Sequence, residues 1–189
     1  MSSSLMFILV LFISFLATIP SSSEALDDSV KEITHMHLYF HEITAGPNRT
    51  TSIVAPTNSS LYGFGGVVAI DDELREGPEP TSKLIGRAQG ILPRVSKEEI
   101  ASLVAANFVF TEGKYNGSTL DVFGRAVLAS DRREWSIIGG SGQFRLARGY
   151  VLGKKLSSPA GSLLIELDIY VLHNKNKMVC IHHNCVHSE

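Results

Sequence analysis

The sequence predicts one all-β domain, a β-barrel or β-sandwich with the barrel favoured. Eight or nine short segments of β-favouring residues recur at close spacing, turn residues separate them, and no stretch has the pattern of a long amphipathic helix. The chain has 189 residues, 44% hydrophobic and 19% charged, with 16 Gly and 7 Pro, a composition that suits a single compact domain. With 17 Lys+Arg against 19 Asp+Glu the formal net charge is -2, and no block of five like charges occurs. That balance excludes a footprint for nucleic acid or an anionic membrane surface. Both cysteines, Cys180 and Cys185, lie at the C-terminal end, so the fold rests on its hydrophobic core and not on a disulfide framework.

The first segment to account for is Leu5 to Ile19, charge-free and apolar, of the length expected for a signal-peptide core and short for a membrane span. Ser23-Glu24-Ala25 then offers small side chains at the two positions a signal peptidase reads. The expected organisation is a leader over 1–25, a barrel domain over 26–173 and a tail over 174–189, with a secreted product not bound to membrane after cleavage. One departure is that the leading MSSS carries no Lys or Arg. Three Asn-x-Ser/Thr sequons, at Asn48, Asn58 and Asn116, fall in stretches that read as turns or loops and are expected glycosylation acceptors.

Residues 26–34 read as a flexible polar lead. His35 to Ile43 then alternates as a strand, with Met36, Leu38, Phe40 and Glu42 on one face, so a carboxylate ends an apolar stripe. Further strands are expected over Thr51–Ala55, Phe64–Ile70 and Lys83–Ile91, the last with two glycines marking a bend or a close approach of another backbone. Between them, Asp71-Asp72-Glu73 reads as a solvated acidic turn ahead of the Pro-bearing loop Gly77–Pro80. Ser96-Lys97-Glu98-Glu99 has the form of a capping box, which predicts one helical turn from Lys97 before a strand through Asn107–Phe110. Asn116-Gly117 predicts a hairpin with a type I′ turn leading into Thr119–Arg125. Ile137–Ser141, Phe144–Lys155 and Ser162–His173 complete the set. Strict alternation along the second of these places Arg148 on the face of Phe144, Leu146 and Tyr150, a cation on an apolar stripe, while Gln143 has the opposite parity.

Four separated segments then resemble the plant dirigent proteins in order and spacing: LYFHEITAGPN, IDDELREGPEPTSKLIGRAQG, FVFTEGKYNGSTL and IIGGSGQFRLARGY. The resemblance covers Leu38 to about His173. It implies an eight-stranded antiparallel β-barrel with a pocket at one end, commonly a homotrimer, secreted to the plant apoplast and cell wall. Members of that family steer phenoxy radicals or quinone methides of small phenolic substrates to one stereoisomer; they carry no metal or redox cofactor, and an external laccase or peroxidase makes the radicals. The acid of the family's HDI motif falls on Glu42, the acid of its GGTGDF motif on Gln143, and the Arg of its ARG motif on Arg148. On this resemblance the catalytic candidates are Glu42 and Arg148, and the pocket candidates Leu38, Phe40, Gln143 and Phe144. The form GGSGxFRxARGY is more similar to the branch with the pterocarpan synthases.

Three functions follow as expectations. The first is stereochemical control of phenoxy-radical coupling or quinone-methide cyclisation in lignan or isoflavonoid biosynthesis. A second is a cofactor-free dehydratase that closes a ring from a 4-hydroxyisoflavan, and a third is a lipocalin-like carrier. No metal site is expected: the acidic triplet reads as turn chemistry, GGSG is not followed by a helix that could bind phosphate, and the Cys/His tail is expected to hold a Cys180–Cys185 disulfide or to be disordered.

Overall fold

A computed structural model describes residues 31–56 and 63–174 together with two short strand segments near the C-terminus. The expected leader, and the Asn58 sequon, lie outside the described residues. Strand β1 spans Lys31–Ile43, β2 Thr51–Ala55, β3 Val67–Arg75, β4 Leu84–Pro93, β5 Ala101–Phe110, β6 Thr119–Val127, β7 Arg132–Ser141, β8 Arg148–Ser157 and β9 Ser162–Asn174. Neighbours run antiparallel in the order β1-β9-β8-β7-β6-β5-β4-β3-β2, and β1 also pairs with β3. That last pairing, Tyr39↔Arg75 to His41↔Glu73, closes an eight-stranded barrel and leaves β2 outside it on β3. Closure removes the open edges a flat sheet would present.

The period-two pattern of β1 holds as read: Leu38 is buried and Met36, Phe40 and Glu42 share its inward face. Interior side chains from the other strands meet them in a continuous core that includes Leu74, Phe108, Leu120, Ile137, Leu167 and Ile169. The lead is shorter than expected, because β1 already starts at Lys31 and pairs with β9 along its full length.

Four local expectations are corrected. Asp71-Asp72-Glu73 is not a turn; it lies within β3, where Ile70, Asp72 and Leu74 point inward and are buried. The sequence Ser96–Glu99 starts no helix, although the Ser96 hydroxyl accepts the amides of Glu98 and Glu99 at 3.3 Å each, as a cap would. β5 begins five residues later, and its inward residues Ser102, Val104, Ala106 and Phe108 bind the chain into the barrel in place of a helical turn. The β5–β6 hairpin forms as expected, but its turn has Asn116 at φ -49 and ψ 133 and Gly117 at φ 78, with Ser118 N–H bonding to the Tyr115 carbonyl at 3.0 Å. That is a type II turn, which needs a positive φ only at the glycine. The fourth concerns Phe144, which sits in a 3-10 turn over Gly142–Phe144, so strand β8 starts only at Arg148.

The two glycines of β4 mark close approach. A Cβ on Gly86 would lie 2.1 Å from the Val109 carbonyl oxygen of β5, and one on Gly90 2.2 Å from that of Ala105. Gly86→Ala should therefore destabilise the domain by about 2–3 kcal/mol, read as a lowered urea midpoint with an unchanged slope.

Candidate functional site

One end of the barrel is open to a cavity of about 410 Å³. Its walls come from the C-terminal half of β1, the N-terminal half of β3, inward residues of β4 to β7, strand β2, the loop Ser158–Gly161 and the start of β9. Most of the lining is apolar, including Phe40, Ile53, Ile70, Leu92, Val104 and Ile165. Into it project one carboxyl, Glu42, two guanidinium groups, Arg94 and Arg133, and the indole of Trp135. This is the arrangement of a small-molecule site, an apolar surface with a few placed polar groups.

Arg133 and Trp135 reach the cavity because β7 alternates regularly: Arg133, Trp135 and Ile137 are buried while Arg132, Glu134 and Ser136 are exposed. Trp135 is held flat by glycines on the flanking strands. The Cβ of any larger residue at Gly124 would meet its Cδ1 at 3.0 Å, and one at Gly153 its Cζ3 at 3.2 Å. The indole N–H of Trp135 and the Nε and Nη1 of Arg133 are buried with no hydrogen-bond acceptor among the described residues. A buried donor without an acceptor is costly, so this part of the cavity wall carries unmet hydrogen-bonding capacity. Arg94 donates from Nη1 to the Ser102 hydroxyl at 2.5 Å.

Burial raises the pKa of Glu42 above the ordinary carboxylate range, and the charges of Arg133 and Arg94 oppose the shift. Beneath it lies a second carboxyl. Asp72 is fully buried, its Oδ1 accepts a hydrogen bond from the Thr50 hydroxyl, and its Oδ2 has no partner among the described residues. Burial, with the charge of Glu42 adding, pushes Asp72 up to about 8, against the pull of the Thr50 hydrogen bond.

Asp72 therefore carries a proton in the native state over a pH range in which the unfolded chain, titrating near 3.9, has lost it. In that window unfolding releases a proton, and stability falls as pH rises from about 4 to about 8, by up to about 1.4 kcal/mol per pH unit from this group. Asp72→Asn, isosteric and uncharged, should flatten that slope; urea melts at pH 5 and pH 8 should differ less in the variant than in the parent.

The other expected site residues are dispersed. Phe40 lines the cavity with Glu42, whereas Leu38 lies one layer deeper in the core. Phe144 is buried at the closed end, its ring 5.7 Å from that of Phe110 and 4.8 Å from that of Tyr115. Gln143 is outside the barrel, where its amide donates to the Lys114 carbonyl at 2.7 Å. Arg148 is also outside: its side chain is exposed and donates to the carbonyls of Ile138 and Ala147. The 3-10 turn resets the phase of the chain, so in β8 Val151 and Gly153 face in while Arg148, Tyr150 and Leu152 face out. The cavity arginine opposite Glu42 is Arg133, not Arg148.

Asn48 and Asn116 are exposed in turns. Near the C-terminus, β10 (Val179–Ile181) and β11 (Asn184–Val186) form a small hairpin that sets Cys180 opposite Cys185 in register.

Comparison with known proteins agrees with this architecture. Dirigent protein 21 of Arabidopsis thaliana is 40% identical over 184 residues, covering 89% of this chain and 97% of that protein. Pterocarpan synthase 1 of Glycyrrhiza echinata is 42% identical over 149 residues, covering 76% of this chain and 79% of that one. The solved structure of the pterocarpan synthase dirigent protein GePTS1 superposes with a TM-score of 0.74 at 40% identity, over 79% of this chain and 90% of that one. The model of the Dirigent-like protein family matches residues 33–172, which run from near the start of β1 to near the end of β9 and so take in all eight strands of the closed barrel; the chain belongs to the dirigent family.

Proposed function

We propose that the cavity binds a small phenolic and directs the closure of a quinone methide, or the coupling of phenoxy radicals, to one stereoisomer. The observation that carries this reading is a half-buried carboxyl, Glu42, facing a largely apolar cavity that also holds the buried guanidinium of Arg133 and the guanidinium of Arg94. The apolar walls fit an aromatic ring and shield one face of it. Arg133, whose side chain lines the cavity, supplies a charge-assisted bond to a phenolic oxygen and so stabilises a phenolate. Glu42, held toward its protonated form by burial, handles the proton.

A second reading, that the protein is itself a dehydratase, is supported by the 42% identity to a pterocarpan synthase and by a cavity carboxyl whose pKa burial raises. Glu42 would protonate the leaving 4-hydroxyl of a hydroxyisoflavan, the C–O bond would break with its electron pair leaving as water, and Arg133 would hold the phenolic oxygen of the quinone methide. Attack by a second phenol hydroxyl closes the ring and returns a proton to the site. This sequence needs no oxidant, whereas radical coupling requires radicals from a laccase or peroxidase.

Secretion is the companion proposal, supported by the apolar segment before residue 20 and by exposed sequon asparagines at Asn48 and Asn116. A homotrimer is supported by the outer face of β7, β8, β9 and β1, where Ile33, Ile138, Tyr150, Leu152 and Leu172 are exposed. The deciding experiment supplies the purified protein with a 4-hydroxyisoflavan alone, and separately with coniferyl alcohol and a one-electron oxidant. Optically active product in either reaction supports stereocontrol; binding with racemic or no product in both leaves a carrier and contradicts it.

A further inference from the structure

The acidic triplet Asp71-Asp72-Glu73 has no role in the reading above, yet it sends one carboxyl into the barrel wall beneath the cavity. The paired segment of β1 and β3 ends at His41↔Glu73, and the next residues on the two facing strands are Glu42 and Asp72. Both side chains point inward, by the parity of Phe40 with Glu42 on β1 and of Ile70 with Asp72 on β3. Thr50 clamps the deeper acid: its hydroxyl donates to Asp72 Oδ1 and accepts the Ile43 amide at 2.9 Å, while its carbonyl accepts the Asp71 amide at 2.9 Å. The remaining oxygen, Asp72 Oδ2, is buried and unpartnered among the described residues. Two inward carboxyls on facing residues cannot both ionise without a large penalty, and the unpartnered oxygen is where a proton would sit.

We propose that Asp72 is the proton partner of Glu42, the two carboxyls sharing one proton, so that Asp72 sets the pH up to which the cavity has a proton to give. The proposal rests on the assignment of proton handling to Glu42. Asp72 acts through Glu42 and is a positioning residue: it lies behind the cavity and touches no substrate.

The charges around the pair divide by side. On the cavity side Arg94 and Arg133 favour ionisation of Glu42. Within β3, Asp71 points outward to Arg87 of β4, and Glu73 bonds Arg75 at 2.8 Å. From β4 the inward residue opposite Asp72 is Ala88, fully buried, and Arg87 acts on Asp72 only from the outer face. Outward His41 bonds the Gly77 carbonyl at 3.1 Å. No cation lies on the inner side of Asp72 among these groups, so Asp72 is the harder of the two to ionise, and Glu42, which faces the cavity, is the member that hands the shared proton to the substrate. In one turnover the pair gives its proton to the departing hydroxyl, which leaves as water with the C–O electron pair. The proton freed when the attacking phenol hydroxyl forms the new C–O bond restores the pair.

The test is a titration of the whole chain carrying aspartate labelled at the carboxyl carbon, followed by NMR. One aspartate should titrate above pH 7 in the parent and be lost in Asp72→Asn, and in Glu42→Gln the same signal should titrate lower by roughly one pH unit or more. An aspartate set that titrates entirely below pH 6, or a high titration indifferent to Glu42→Gln, would overturn the proposal. The Glu42→Gln comparison stands even if Asp72→Asn does not fold. Where a substrate turns over, the alkaline limb of the pH–kcat profile should move to lower pH by more than one unit in Asp72→Asn. A uniform loss with an unmoved limb would mark a structural role and overturn it. If no phenolic turns over, the functional reading fails while the titration still decides whether the carboxyls share a proton.

Discussion

Glu42→Gln is expected to lower product formation by about 10²-fold or more, the range for loss of a general acid or base. The substitution keeps the length and hydrogen-bonding shape of the side chain and removes its proton. Because Glu42 sits at a cavity wall and not in the packed core, the barrel should fold as the parent does. The measurement is kcat and enantiomeric excess under single-substrate conditions, with circular dichroism to establish folding. A fall in kcat at nearly constant KM would place the lost interaction in the transition state. Undiminished rate and selectivity would leave cavity shape as the sole source of control.

Arg133→Met is expected to cost about 10²-fold in kcat/KM, as for removal of one preorganised donor to a developing oxyanion. Its guanidinium lines the cavity as a charged donor, and Met fills a similar volume. The charge of Arg133 also holds the Glu42 carboxyl down against the effect of burial. Removing it should therefore raise the pKa of Glu42 further and move the alkaline limb of the pH–rate profile to higher pH, opposite to the displacement expected for Asp72→Asn. Arg148→Met is the contrast: exposed on the outside of the barrel, it should stay within about twofold of the parent, the small effect usual for surface changes. A large loss at Arg148 with little at Arg133 would refute the geometric assignment.

What was legible in the sequence follows from where alternation is unbroken. β1 is regular from Lys31 to Ile43, so a period of two placed Phe40 and Glu42 on the interior face without any knowledge of the fold. The same rule failed at Arg148 because it was carried through Gly142–Phe144, whose 3-10 turn shifts the phase, and Leu146, at φ 62, carries the chain out of extended geometry just before the strand. Arg133 was missed for the opposite reason. Its strand was read as beginning at Ile137, five residues after its true start at Arg132, although Trp135 and Ile137 already share its parity.

Asp72 was hidden by composition: three consecutive acids argue for solvent, and only pairing on both sides, with β4 throughout and β2 or β1 at either end, holds them in a strand. The β1–β3 contact that closes the barrel and brings Glu42 beside Asp72 is non-local, and no turn signal encodes it. Motif resemblance supplied the strand number and closure that periodicity left open between barrel and sandwich. It also assigned Gln143 and Arg148 to a pocket from which the 3-10 turn and the pleat of β8 exclude them.

The central claim is that the open end of this barrel controls the stereochemistry of a phenolic reaction through Glu42 and Arg133. Chiral chromatography of the product from racemic 4-hydroxyisoflavan, incubated with purified protein and no oxidant, tests it most directly, run beside the Glu42→Gln and Arg133→Met variants. The expected result is a single product enantiomer from the parent and strongly diminished product from both variants. Racemic product, or equal rates from all three proteins, would contradict it.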